Sequence, residues 1–311
     1  MKPDTRQIKN VAKLGLRLLF EGGQRLGVDI LPRHFYSEIP DLRLLRRSDH
    51  WKRPFSMVGV AGADIGGQLE FLEQQVSPAV RDALRAHDVH AEASAANGEA
   101  GYGRVEAEVL YAFIRTQQPR TIFQIGCGVS TAVCLQAAKD ADYRPEIICV
   151  EPYPTPYLCR MAEQRAITLV RQKAEHLEPS HICGLGADLL FFVDSTHTLG
   201  PGGEVSRIVL EMLPRLKARA YVHFHDIMFP YDYPRDVLGR ALVFQHESAL
   251  LHAFLAYNSR FALRAALSMI HYQAPERLGE LFESYRPAGN EHGLETRLGH
   301  FPSAAYLQVT S

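Results

Sequence analysis

Residues 121 to 133, TIFQIGCGVSTAV, constrain the chain more than any other stretch. A β-branched apolar segment runs straight into a glycine turn and then into residues that favour a helix. Gly126 and Gly128 lack the Cβ that would keep a nucleotide away from the backbone. Ser130 and Thr131 follow where a helix N-terminus offers free N–H groups and hydroxyls. The spacing is G-x-G-x-x-T, with Thr131 where a dinucleotide fingerprint carries its third glycine. Taken alone, such a turn is also an ordinary way to pass from strand to helix.

The next apolar run, EIICV, ends in Glu151, about 25 residues after the glycine turn, and an acid at that point can accept hydrogen bonds from both ribose hydroxyls. Pro152, Pro154 and Pro156 then stop the strand and open a helix, because proline is tolerated in a first helical turn but not inside a sheet. Turn and acid together describe one βαβ unit with a nucleotide-type cofactor at its crest.

At 311 residues with 46% hydrophobic and 22% charged, the chain is long enough for one large α/β domain with additions. A formal net charge of -1 argues against a general nucleic-acid binder, which carries a basic excess. Five cysteines without CxxC spacing lie mostly in or beside apolar segments, which reads as reduced thiols in a cytoplasmic protein. No segment has the roughly 20 uninterrupted apolar residues of a membrane span. Near the N-terminus, Ile8, Val11, Leu14, Leu18 and Leu19 recur at helical spacing, with Arg6, Lys9, Lys13 and Arg17 elsewhere around the helix. Such a face packs on its own protein or on a second subunit, so a homo-oligomer through N-terminal helices is expected; anionic lipid is the other surface it fits.

The chain divides by pattern into a helical or irregular extension over 1–104 and a domain over 105–311. Residues 28 to 64 are rich in Pro, Arg and aromatics without a sustained period, and 92 to 104 is a polar, Ala- and Gly-rich candidate linker or lid. Tyr36, His50, Trp51 and Tyr102 lie in irregular regions, where they either pack a lid or offer aromatic faces to a ligand. Strands are expected at 121–125, 146–150, 167–171, 189–194, 219–224, 260–267 and 304–309. Alternation with helices points to a mostly parallel sheet covered on both faces.

Ligands in such sheets bind beyond the carboxyl ends of the strands. There the fourth strand ends in Asp194, with His197 three residues on, and the fifth ends in His225 and Asp226. His223 and His225 alternate onto one face. Carboxylates and imidazoles so placed serve as proton acceptors, as ligands for a divalent ion or as structural hydrogen-bonding partners. The spacing does not choose among them.

These segments, from VEAEVLYAFIR through QIGCGVST, VEPYP, LLFFVDSTHT and VHFHDIMFPYDYP to ESALLHAFLAYN, resemble a class I S-adenosylmethionine-dependent methyltransferase, and within it the bacterial group called methyltransferase family 24. The resemblance implies a Rossmann-like, seven-stranded sheet whose last strand is antiparallel. It implies that Gln124, Gly126, Gly128, Ser130, Thr131, Glu151 and Asp194 bind the cofactor. Gln124 stands where the family usually has Glu, so the charge attraction to the cofactor's ammonium is missing. The activity implied is methyl transfer to a small molecule, a hydroxyl of a sugar or natural-product intermediate. His225, His197 and Asp194 would then be catalytic, a histidine acting as base. Asp194 and Asp226 are candidate ligands for a divalent cation such as Mg. Two other readings remain: a nicotinamide-dependent oxidoreductase, which Thr131 opposes, and a non-catalytic cofactor-binding protein of a biosynthetic assembly.

Overall fold

A computed structural model describes residues 5–238, 243–290, 293–297 and 299–311. The chain divides into two compact units, Met1–Trp51 and Lys52–Ser311. In the first unit, helix α1 (Thr5–Arg25) is followed by a short helix α2 (Leu42–Leu45) capped by the Asp41 side chain. Leu14, Leu18 and Leu19 of α1 are exposed, and Trp51 donates its indole N–H to the Leu45 carbonyl at 3.1 Å.

In the second unit the strands are β1 (Thr121–Ile125), β2 (Glu146–Val150), β3 (Thr168–Val170), β4 (Leu189–Val193), β5 (Tyr221–Phe224) and β6 (Phe261–Ala266). A small hairpin of β7 (Ala288–Asn290) and β8 (Gly293–Glu295) precedes β9 (Ala305–Val309). Seven of these strands form one sheet in the order β3-β2-β1-β4-β5-β9-β6. Strands β1 to β5 pair in parallel, and β9 runs antiparallel to both β5 and β6. The order reverses at β1, whose carboxyl end therefore faces the crevice where ligands enter such folds. Every strand expected from the alternation is present within one or two residues.

Helices α3 (Ile65–Gln75), α4 (Pro78–Ala86), α5 (Val89–Asn97), α6 (Arg104–Gln117) and α7 (Val129–Asp140) belong to the sheet's own unit, and α8 (Pro156–Glu163) follows β2. The polar stretch 92 to 104, expected to be a linker or lid, is half helix. Val89 and Ala93 of α5 are buried, and Gly98 ends the helix at φ 83, a left-handed cap that glycine adopts without strain. Alanine-rich polar sequence reads as loose by composition, yet it carries a narrow apolar stripe that packs between α6 and α7. After β3 comes α9 (Ser180–Cys183), after β4 comes α10 (Glu204–Arg207), after β5 comes α11 (Glu247–Leu255), and after β6 come α12 (Leu267–Gln273) and α13 (Pro275–Leu281).

The two sheet faces carry separate cores. Ile122, Leu190, Phe192 and Tyr306 pack with α6 and α7 on one side, while Phe123, Ile125, Phe191 and Val193 pack on the other. The period of two along β1 and β4 thus sorts side chains between layers. His271 lies in the first layer's periphery, fully buried against Tyr272, Tyr285 and Phe301, with Nδ1 2.8 Å from the Tyr285 hydroxyl. Burial lowers its pKa to about 4, against the opposing pull of the Leu294 carbonyl. The unfolded chain takes up that proton near its ordinary value of ~6.5 and the native state does not, so stability is lost as pH falls from about 6.5 towards 4. At full shift the loss is on the order of 3 kcal/mol. Denaturant melts across that interval should show a shallower slope for His271→Gln than for the parent chain; equal slopes would remove His271 as the cause.

Candidate active site

The crest of the sheet is built around a close crossing. Gly126 takes φ +80, and a Cβ there would stand 1.7 Å from the backbone carbonyl oxygen of Asp194. The glycine is thus required by the protein itself, because β1 and β4 leave the sheet almost touching. Gly126 N–H donates to the Val150 carbonyl, and Asp194 N–H donates to the Ile125 carbonyl. Three strand ends are stitched together at this point.

Two cavities open on the crest. One, about 340 Å³, is lined by Gly126, Glu151, Tyr153, Lys173, Ala174, Asp194 and Glu204 among others. The second, about 210 Å³, is lined by Asn97, Tyr102, Gly128, Ser130, Glu151 and Asp194 among others. Glu151 and Asp194 border both. The Glu151 carboxylate accepts from the Cys127 N–H at 3.3 Å and from the Tyr153 N–H at 2.9 Å, which fixes it at the junction. Their combined lining of glycines, acids and a helix N-terminus suits a ligand with a hydroxylated ring and a charged tail.

Gln124 and Thr131 stand elsewhere. Both are fully buried and line neither cavity. Gln124 Oε1 accepts from the Thr131 hydroxyl at 2.8 Å, and its amide donates to Ser130 Oγ at 3.3 Å. The alternation along β1 turns Gln124 toward α7, so these residues brace the helix N-terminus behind the cavity wall. Among the three, Ser130 is the one that reaches the cavity.

Beyond Asp194 lies a network of acids and imidazoles. His197 Nε2 is 3.4 Å from Asp194 Oδ1 and 3.7 Å from Asp226 Oδ2, while its Nδ1 meets Glu247 at 2.7 Å. His225 Nδ1 is 3.3 Å from Asp194 Oδ1 and 3.7 Å from Asp226 Oδ1, while its Nε2 meets Glu106 at 3.1 Å. Glu106 in turn accepts from the Ser303 and Gly103 N–H groups. Ser303 Oγ also stands 2.9 Å from Asp226 Oδ1. His197 and Asp226 both adopt left-handed backbone, at φ 60 and φ 54, a strained choice for side chains that points to imposed aim. The His197 carbonyl accepts the His246 and Glu247 N–H groups, tying α11 to the loop.

The charges are unequal. Burial opposes ionisation of Asp194, yet His225 and His197 outweigh it and hold its carboxyl well below the ordinary aspartate range. Burial pulls His197 down, but Asp194 and Glu247 overcome this and raise it to about 10. His225 behaves likewise: burial lowers it, and Glu106, Asp194 and Asp226 raise it well above the usual value. Burial pushes Glu247 up. The neighbouring carboxylates thus favour the charged form of both imidazoles, Asp194 and Glu247 at His197, and Glu106 and Asp194 at His225.

His223 takes no part at the surface of this site. It stacks on Phe192 with ring centroids 4.4 Å apart, its Nε2 lies 3.1 Å from the Tyr102 hydroxyl, and burial lowers its pKa well below normal. Tyr102 covers His225 at 4.9 Å and borders the smaller cavity. Glu106, Glu247 and Ser303 were not anticipated. The available signal was an acid inside each of two apolar helical runs, VEAEVLYAFI and HESALLHAFL, since a carboxylate is rarely buried without a partner.

Residues 123–227 match a family model described as Methyltransferase domain. An uncharacterized protein of Archaeoglobus fulgidus is 28% identical over 158 residues, 48% of this chain and 71% of that protein. Among solved structures, the Podospora anserina methyltransferase PaMTH1 with bound SAH aligns at TM-score 0.39 and 15% identity, covering 91% of this chain and 99% of that one. The 1,6-didemethyltoxoflavin-N1-methyltransferase of Burkholderia thailandensis aligns at TM-score 0.37 and 12% identity, covering 66% and 78%. The matched residues run from β1 to just past β5, so this part of the chain is similar to methyltransferase domains.

Because the crossing at Gly126 leaves no room for a side chain, Gly126→Ala should cost about 2 to 4 kcal/mol of stability. It should also weaken S-adenosylhomocysteine binding at least tenfold by calorimetry. Unchanged melting and unchanged heats would show that the crest tolerates the displacement.

Proposed function

We propose that the protein transfers the methyl group of S-adenosylmethionine to a hydroxyl of a small molecule, a sugar or natural-product intermediate. The observation that carries this reading is the position of Asp194, which borders both crest cavities and backs directly onto the two imidazoles. Glu151 would hold the ribose, the Gly126–Ser130 turn the amino-acid end, and the segment Lys173–Glu175 the adenine side. The sulfonium methyl is already activated, so the protein's work is to align the acceptor and exclude water. Charged imidazoles beside the acceptor favour its deprotonated form, and the partly exposed Asp226 is placed to receive the proton. His225, His197 and Asp194 would be catalytic residues in this scheme, with Asp226 taking the proton.

The family match favours a methyl donor over a nicotinamide, and Thr131 in place of a third glycine agrees with that. Tritiated S-adenosylmethionine offered with hydroxylated acceptors and with amines tests the acceptor class. Label should pass to hydroxyls; passage to amines alone would sink the oxygen-directed reading. Glu151→Ala should weaken S-adenosylhomocysteine binding by about 1.5 to 3 kcal/mol, the worth of hydrogen bonds to a charged group. Unaltered affinity would move the ribose elsewhere.

A further inference from the structure

We propose that helix α1 lies in the plane of an anionic lipid surface, with its apolar side sunk toward the acyl chains and its basic side among the headgroups. The inference concerns the first unit by itself and does not depend on the methyl donor.

The first support is an apolar side that nothing covers. Leu14, Leu18 and Leu19 are 59%, 62% and 56% exposed, with Leu14 and Leu18 one turn apart and Leu19 next to them around the helix. Single exposed leucines are ordinary on a protein surface, whereas a contiguous strip of them marks a binding surface. The apolar character continues past the helix. Leu26, Ile30, Leu31, Phe35 and Tyr36 follow α1 in the chain and are exposed as well, Phe35 at 94%. Aliphatic and aromatic side chains of this kind are the ones that enter the boundary between headgroups and acyl chains.

The second support is charge. Helix α1 carries five basic residues, Arg6, Lys9, Lys13, Arg17 and Arg25, against one acid, Glu21, which Arg17 already pairs at 2.7 Å. The unit Met1–Trp51 holds ten basic and six acidic residues, out of 34 and 35 in the whole chain, so the remainder holds 24 and 29. Positive excess is therefore confined to the unit with the uncovered leucines. Each basic side chain near an anionic bilayer raises partition about fivefold.

Charge also decides between lipid and a second copy of the chain. Two α1 helices brought leucine to leucine would set five basic residues beside another five, whereas anionic headgroups neutralise them. Lys13, Arg17 and Glu21 interrupt the apolar residues, and no helix among the described residues is long and apolar enough to cross a membrane. Strong segregation of apolar and basic sides with low mean hydropathy belongs to helices that lie on a bilayer.

The test incubates the full chain with large unilamellar vesicles and measures the protein that sediments with them. Vesicles containing about one third phosphatidylglycerol should carry the protein down, and phosphatidylcholine alone should bind it at least about tenfold more weakly. Binding to the anionic vesicles should weaken in about 1 M salt, where the Debye length shrinks to ~3 Å. Lys13→Gln combined with Arg25→Gln removes two charges and should weaken that partition roughly 30-fold. Leu18→Gln combined with Leu19→Gln should weaken it on the order of 100-fold. All four side chains are exposed, so both variants should melt as the parent does. No sedimentation of the parent with anionic vesicles, equal binding to both compositions, or a leucine variant that binds like the parent would overturn the proposal. A dimer seen by light scattering that splits in the leucine variant and leaves the vesicles unbound would also overturn it, and would assign the face to a second copy.

Discussion

Two buried carboxylates, Glu106 on α6 and Glu247 on α11, organise the far wall of the crest. Neither is more than 2% exposed, and each has an imidazole as its ionic partner. A buried carboxylate left alone is several kcal/mol worse than a paired one, so each glutamate demands its histidine and in doing so sets that ring's direction. Glu106 also accepts from Ser303 just before β9 and from Gly103 just before α6. The last sheet segment, helix α6 and the end of the fifth strand are therefore joined through one carboxyl group.

The rest of the site follows from that clamp and from the crossing at Gly126. With β1 and β4 almost touching there, Asp194 is carried to the border of both cavities, and the two rings approach it from behind. Both cavities thereby share a residue with the network of acids and imidazoles. Tyr102, laid over His225, continues the wall into the smaller cavity. Positive φ at His197 and Asp226 is a local cost carried by this arrangement, offset by α11 docking on the His197 carbonyl.

Much of this was legible beforehand because it obeys local rules. Alternating short apolar runs located all seven sheet strands, and the end of each strand named Glu151, Asp194, His225 and Asp226 before any distance was known. Local rules failed where two layers had to be told apart. Gln124 belongs to the same short strand as residues that point toward the opposite layer, and its period-two partner Ile122 shows why it braces α7 rather than lining a cavity. The segment around α5 misled for a different reason: alanine and serine carry little hydrophobic signal, and a helix packed by its small side chains resembles a linker in composition.

From residue order alone came the sheet, the glycine turn, the methyltransferase resemblance and the cast of acids and histidines at the strand ends. Such features depend on near neighbours in the chain, through side-chain alternation and backbone freedom. Only the folded molecule decided which nitrogen of each imidazole faces inward, because Glu106 and Glu247 are separated from their partners by 119 and 50 residues. Contacts at that separation are fixed by layer packing and burial of charge, and no local pattern encodes them.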